Sequence, residues 1–559
     1  MSLRAEVWAP KATTVELLTS DRHSAMEAVG GGWFRAAGEL TPGTDYGFRL
    51  DGGPPLPDPR SHWQPSGPSR PSRVVDHHEF AWTDRRWAGM HLPSAVIYEL
   101  HVGTFSEAGT FFGVIEHLDH LVALGVTAIE VMPIAAFDGE RGWGYDGVSL
   151  YAVHEPYGGP DAFKRLVDAA HARGLGVVLD VVYNHFGPTG NHLGAFGPYT
   201  SDRHQTPWGD AVNLDGPDCE WVRRFFLDNA RHWFEHYHVD GLRLDAVHAL
   251  IDDSDHHFLA ELAEETAALS AHLCRPLWLV AEYPTTTPVG VTAPEAGGHG
   301  LDAEWRDEVH HSIHAWLTGE RSGYYAEYGS VAALADAATG PKESLPRSRF
   351  VVCAQNHDQV GNRAKGDRLC HLVDTGRAKI AAALVLLSPF VPLLFMGEEW
   401  AASSPFPYFA GQREPDLDDA VRTGRRDEFA GFGWDPESIP DPIALSTFDV
   451  AHLRWRELDE PAHASMREWY RDLIALRRTR PELSDPRPAS TGMDEHDSEH
   501  TLVMWRNDTA VAVNIDEQAV HVSLDGTGGK RVLLASDPHV QLTDDGVVLP
   551  SNSVVVVGR

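Results

Sequence analysis

Seven near-continuously apolar runs recur through the middle of the chain: VIYELHVGTF, VTAIEVMPI, GVVLDVV, GLRLDAV, LWLVAEY, RFVVCAQ and PFVPLLFMG. Runs of this length, rich in β-branched residues and lacking polar alternation, predict strands buried on both faces. Between them the spacing changes. FFGVIEHLDHLVALG puts Val114, Leu118, Leu121 and Leu124 on one helical stripe, and DAFKRLVDAAHARG predicts a second helix that stops at Gly174. Strand and helix alternating over so long a stretch imply a parallel β/α architecture. A (β/α)8 barrel is the expected form, because polar clusters recur at the C-terminal ends of several strands and no GxGxxG or GxxxxGKS element opens a helix after the first strand.

Both flanks read differently. Residues 2 to about 88 form short runs (AEVWAP, TVELL, GWFRAA, YGFRL) separated by Gly, Pro and Asp, the pattern of a small immunoglobulin-like β-sandwich. A Pro- and Ser-rich strip from Pro54 to Pro71 follows; it cannot pair as a central strand and is expected to be an extended connector packed through Trp63. Beyond about Arg480, TLVMWR, AVAVNI, VHVSL, KRVLLA and SNSVVVV predict a C-terminal β-sandwich. The expected division is residues 1–90, 91–485 and 486–559, with a Gly-, Pro- and Asn-rich excursion at about 186–220 that is not expected to be helical.

Charge narrows the partners. With 81 acidic against 46 basic side chains the formal net charge is −35. Such a field repels nucleic acid and anionic membranes and tolerates a neutral substrate. Cys219, Cys274, Cys353 and Cys370 are widely spaced with no CxxC pair, so a reduced, cytoplasmic protein without a thiolate zinc site is expected. The N-terminal residues show no positive segment followed by an apolar one, and the apolar stretch near Ile380 to Phe395 is interrupted by Ser388, Pro389 and Pro392, which predicts a buried helix and strand rather than a membrane span.

Four segments concentrate the chemistry: DVVYNH (Asp180 to His185), DGLRLDAVH (Asp240 to His248), VAEYP (Val280 to Pro284) and QNHDQVGN (Gln355 to Asn362). Each sets Asp, Glu, His or Arg at or just past a strand end. In GLRLDAV, Arg243 and Asp245 lie two apart and emerge on one face, so the guanidinium keeps the carboxylate ionised, as a nucleophile must be. Glu282 ends an apolar strand ahead of Tyr283 and Pro284, surroundings expected to raise its pKa by desolvation and suit it to act as an acid. Asp358 follows His357 and is placed to brace developing positive charge. Three convergent carboxylates are the equipment for cleaving a glycosidic bond. Asp180 is expected to hold Arg243, and His185 to donate to a sugar hydroxyl. Asn184 alone is weak evidence for a cation, so no metal or other cofactor is expected. Among the aromatic residues, those in Gly-rich loops are the expected sugar platforms: Trp143 and Tyr145 in RGWGYDG, and Trp208 in TPWGD.

The four segments, in this order, resemble the signature regions of the α-amylase superfamily, and the similarity runs from about Val96 to Glu399. That resemblance implies a retaining glycoside hydrolase with Asp245 as nucleophile, Glu282 as general acid/base and Asp358 as transition-state stabiliser. It also implies that Arg243, His185, His357 and Tyr145, with Trp143, Trp208 and His248 nearby, line the sugar subsite. Longer stretches, among them PDPRSHWQPSGPSRPSRVVD, TPWGDAVNLDGP and HHSIHAWLTGERSGYYAEYG, resemble the maltooligosyltrehalose trehalohydrolase family along nearly the whole chain. This implies hydrolysis of the α-1,4 bond joining a maltooligosyl chain to terminal trehalose, in a pathway shared with a maltooligosyltrehalose synthase. An α-glucan branching enzyme is the alternative, and an isoamylase-type debranching enzyme comes third. The Asn184–His185 pair and the GPTGN loop favour hydrolysis.

Overall fold

Eight parallel strands close into a barrel: β1 (Ile97–Leu100), β2 (Ala128–Val131), β3 (Gly176–Val181), β4 (Gly241–Leu244), β5 (Trp278–Ala281), β6 (Ala303–Trp305), β7 (Phe350–Cys353) and β8 (Val391–Phe395), with β8 returning to pair with β1. The computed structural model describes residues 4–284, 287–340, 345–411, 415–430, 439–495, 500–524 and 529–559. Seven of these strands coincide with the apolar runs. The eighth, β6, is three residues long and flanked by Asp302 and Arg306, so no apolar run announces it.

Side-chain alternation along the strands sorts the barrel interior into two layers. Ile97, Ala128, Val178, Val280, Ala303, Val351 and Val391 pack together low in the barrel. Met90, Leu92 and Ala95 join the same cluster. Two residues further along the strands, on the same inward face, stand Glu99, Glu130, Asp180 and Arg243. The dry lower layer therefore serves as the floor of a charged upper one. Outside the barrel, the helix Phe111–Leu124 turns its predicted stripe inward and ends at Gly125, whose φ of 101° is open to glycine at little cost. A Cβ there would also lie 2.8 Å from Ile474.

Antiparallel sheets flank the barrel on both sides in sequence. On the N-terminal side are a three-stranded sheet (Glu6–Trp8, Trp33–Arg35, Glu27–Gly30) and a second sheet centred on Val15–Thr19 and Asp45–Leu50. Part of the expected connector does pair, Pro55–Leu56 adding as an edge strand where a proline is tolerated. Trp63 docks as expected, donating to Glu155 at 2.5 Å. The excursion after His185 holds more order than expected: a short helix, Leu193–Phe196, and a hairpin of Thr200–Thr206 with Gly209–Val212. VIYELHVGTF also divides, its second half forming the helix Val102–Phe105. On the C-terminal side lie a five-stranded and a three-stranded sheet. Among the described residues no helix is long and apolar enough to cross a membrane.

The turn that leads into β8 depends on one buried cation. Arg477, on the helix Pro461–Thr479, donates to the carbonyls of Leu386 (2.9 Å), Ser388 (2.7 Å) and Phe390 (2.6 Å). Replacing Arg477 with Ala strands three carbonyls in a dry region, so the substitution is expected to cost about 3 kcal/mol or more and to lower the urea midpoint accordingly. An unshifted midpoint would show that the turn holds without it.

Candidate active site

Strand register assembles the charged layer. Asp180 on β3 lies directly opposite Arg243 on β4, and Leu244 opposite Ala281 on β5, so Asp245 and Glu282 reach the rim side by side. The Arg243 side chain is 0% exposed. Its Nη1 donates to Asp180 Oδ2 (2.7 Å) and Asp245 Oδ1 (2.9 Å), its Nη2 donates to Glu282 Oε2 (2.8 Å), and Trp305 covers its face with the ring centroid 4.3 Å away. Burial alone would lower the pKa of Arg243, but Asp180, Glu282 and Asp245 hold it well above the ordinary arginine value.

The chain turns sharply after Asp245. Ala246 takes a left-handed conformation, φ 41°, unusual for a residue with a Cβ, and its N–H donates to Glu282 Oε2 at 2.8 Å. Glu282 is therefore not in the apolar surroundings expected from its sequence neighbours. The β4–β5 register brings Arg243 to it instead. Asn184 spends its amide on Asp245, Nδ2 donating to both the backbone O and Oδ2 at 2.7 Å, and its Oδ1 pairs with His185 Nδ1.

A second chain of hydrogen bonds crosses the barrel from β1. Glu99 accepts from the backbone N of His357 (3.0 Å) and pairs with His357 Nδ1. His357 Nε2 meets the Tyr145 hydroxyl at 2.7 Å, and that hydroxyl donates to Asp180 Oδ2 at 2.7 Å. Asn356 caps the short helix His357–Gly361 by accepting from Gln359 N, which fixes His357 and Asp358 at the end of β7. Asp358 Oδ2 stands 3.3 Å from His357 Nε2 and keeps a third of its side chain exposed. Burial works against charge on His357, but Asp358 and then Glu99 overcome it and carry its pKa up to about 10. Burial likewise pushes Asp180 up to about 7 against the pull of Arg243.

The other expected residues divide. His185 accepts the indole of Trp208 as a parallel neighbour, ring centroids 4.9 Å apart and 9° from coplanar, and Trp208 presents its other side to solvent from the tip of the hairpin. His185 Nε2 is 2.9 Å from the backbone O of Tyr145. Tyr145 stacks on His357 at 5.2 Å. Trp143 does not face a sugar: it is 5% exposed, stacked on Phe406 and set edge-on to His357, so it backs the site from inside. The reason is the left-handed Gly144 (φ 101°), the turn in the chain between Trp143 and Tyr145. His248 lies exposed in the turn Val247–Ala249.

Three acidic residues escaped the sequence reading. Glu99 and Glu130 sit inside apolar runs, and a single carboxylate within VIYEL or AIEV was the signal available. Burial first, and Glu99 beside it, push Glu130 well above the usual carboxylate range, so it is held as the neutral acid. Asp307 opens the helix after β6; burial and then the carboxylates of Glu282 and Asp358 raise it to about 7.

His357 gives this site a pH signature. Its folded pKa lies above the unfolded value near 6.5, so its ion pairs contribute fully below about pH 6.5 and are lost as pH rises through about 10. Glu99→Gln removes one of the two supporting carboxylates, and ring-resonance NMR is expected to show His357 releasing its proton at a clearly lower pH. An unchanged titration would mean that Asp358 alone sustains the charge.

Known proteins resemble this chain over most of its length. Residues 79–198 match the model of the alpha amylase catalytic domain. A malto-oligosyltrehalose trehalohydrolase of Arthrobacter ramosus is 48% identical, the match covering 86% of this chain and 88% of that protein. The protein of the same name from Mycobacterium tuberculosis (strain ATCC 25618 / H37Rv) is 44% identical over 93% and 94% respectively. A crystal structure of an α-amylase-type protein from Salmonella typhimurium superposes with a TM-score of 0.90 at 37% identity, covering 100% of this chain and 98% of the other. Similarity of this degree, running through the barrel and both flanking sets of sheets, establishes that the chain belongs to the malto-oligosyltrehalose trehalohydrolase family.

Proposed function

We propose that this protein is a retaining glycoside hydrolase that cleaves the α-1,4 bond between a maltooligosyl chain and its terminal trehalose. The observation that carries the chemistry is a single buried guanidinium holding Asp245 and Glu282 through its two terminal nitrogens. Two carboxyls on one fork fit the spacing of about 5 Å that a double displacement needs, rather than the wider gap that admits a water. Family membership carries the substrate.

In the first step Asp245 attacks the anomeric carbon while Glu282 gives its proton to the glycosidic oxygen, so trehalose leaves and a glycosyl ester forms. Glu282, now a carboxylate, takes a proton from water. The resulting hydroxide displaces Asp245 and releases the shortened maltooligosaccharide as the α-anomer. Asp358 faces the positive charge that develops on the sugar ring, and Arg243 fixes the Asp245 carboxylate by hydrogen bonding its Oδ1. Tyr145 offers an aromatic surface beside His357, and Trp208 offers a second one stacked on His185. Substrate supply requires an enzyme that turns the reducing end of a maltooligosaccharide into an α,α-1,1 linkage, which is the pairing with a maltooligosyltrehalose synthase. The four free cysteines suit a cytoplasmic setting.

Asp245→Asn is expected to fold normally and to lose at least about 10³-fold in turnover, because no covalent intermediate forms. A variant keeping a tenth of the parent rate would remove Asp245 from this role. Specificity is tested with two substrates of equal glucose count. Maltooligosyltrehalose is expected to exceed the plain maltooligosaccharide by at least about 10² in kcat/KM, since a site built to bond trehalose hydroxyls is left with unpaired polar groups by another sugar. Equal efficiency would indicate a general amylase, and new α-1,6 branches on amylose a branching enzyme.

A further inference from the structure

Far from the carboxylates, where the N-terminal segment meets the barrel, four histidines crowd together. His62 and His77 come from the segment that links the N-terminal sheets to β1, and His232 and His236 from the helix Cys219–His236, which precedes β4. His62 Nδ1 and His77 Nε2 are 3.0 Å apart. The rings of His62 and His232 lie 4.3 Å apart between centroids, and those of His77 and His236 are parallel at 4.4 Å. One nitrogen from each of His62, His77 and His232 falls within 4.8 Å of the other two.

The hydrogen-bond accounting leaves a lone pair unspent. His232 Nε2 is 3.0 Å from the carbonyl of Tyr151, which can only accept, so Nε2 carries the ring proton and Nδ1 presents a bare lone pair. That Nδ1 is buried with no partner, on a ring 4% exposed. A proton on one ring nitrogen fixed by a backbone carbonyl, with the other nitrogen free, is the orientation that metal-binding histidines adopt. Burial also keeps these rings in the neutral form that a metal requires, holding His62 down to about 3.

We propose that His62, His77 and His232 form a binding site for a borderline divalent transition cation of the zinc class. Three imidazoles suit Zn²⁺ and its neighbours and do not suit Ca²⁺ or Mg²⁺, which want oxygen. Ligands at about 2.0–2.1 Å in tetrahedral array place their nitrogens about 3.3 Å apart, close to the His62–His77 spacing, so the ion replaces that hydrogen bond with little movement. The fourth position opens toward a cavity of about 440 Å³ lined in part by His62, His77, His236, Asp76 and Arg60, room for a water ligand. Of the nearby cations, Arg60 is paired with Asp228 at 2.7 Å, whereas Lys164 reaches Asp161 only at 3.8 Å. Bound there, the ion joins the linking segment to the barrel helix and closes a loop of more than a hundred residues.

The test uses the full chain stripped with EDTA and titrated calorimetrically with Zn²⁺. One equivalent is expected to bind with Kd below about 1 µM, and saturating metal to raise Tm by about 2 °C or more. Co²⁺ in its place is expected to show the visible bands of a four-coordinate site. His62→Asn and His77→Gln should each weaken Zn²⁺ binding at least about 10-fold and abolish the Co²⁺ bands. Should His77→Gln fail to fold, the half-buried His62 decides through its own variant. No binding by the parent would overturn the proposal. So would equal affinity in His62→Asn, since the ion would then sit elsewhere, such as where His204 of the hairpin meets Asp215 and Asp253.

Discussion

Arg243 is the group around which the upper barrel is organised. A guanidinium with no exposed surface would be intolerable alone, and its burial is sustained by Asp180, Asp245 and Glu282 gathered on its nitrogens and by Trp305 against its face. The dependence is mutual. Without Arg243, three carboxylates would share a region too dry to keep all of them ionised, and the two that the proposed reaction uses would no longer be held at a fixed separation. The pairing also settles which groups are rigid: Asp180 has 2% of its side chain exposed and serves as a strut, whereas Asp245 and Glu282 keep 11% and 21% and remain reachable from outside.

From Arg243 the order propagates in two directions. Asp180 passes it to Tyr145 and His357, and Glu99 anchors the far end, so that a continuous line of polar contacts runs from β4 through β3 to β1. His357, its pKa carried up to about 10, sits between Glu99 and Asp358. In the other direction Glu282 and the left-handed Ala246 tie the loops after β4 and β5 to each other. These contacts replace water before any substrate arrives, which is the preorganisation on which stabilising a developing charge depends.

The lower layer makes this possible. Seven small or branched apolar side chains fill the barrel beneath the charges and exclude water from below. The same alternation that puts Ile97 in the floor puts Glu99 above it, and Val178 under Asp180. A charged layer and its dry support are thus written into single strands of four to six residues.

Much of this was determined by the sequence itself. Strand-length apolar runs, helical stripes ending in glycine and carboxylates at strand ends follow from local periodicity; they sufficed for the barrel and the flanking sheets, and they singled out Asp180, Arg243, Asp245 and Glu282, which the fold brings into contact. Sequence texture failed where position depends on partners far along the chain. β6 is too short to carry a period; Glu99 and Glu130 look like interruptions in apolar strands until barrel closure aims them inward; Trp143 and Tyr145, two residues apart in one loop, part company because Gly144 turns the backbone between them. The environment of Glu282 was misjudged for the same reason, since its neighbours in sequence are apolar and its neighbour in space is Arg243. His62, His77 and His232 lie as much as 170 residues apart in the chain, and only the packing of the linking segment on a barrel helix brings them together. Local chemistry is fixed by which residues are present, but burial and pairing are fixed by register and closure, and those are properties of the folded chain.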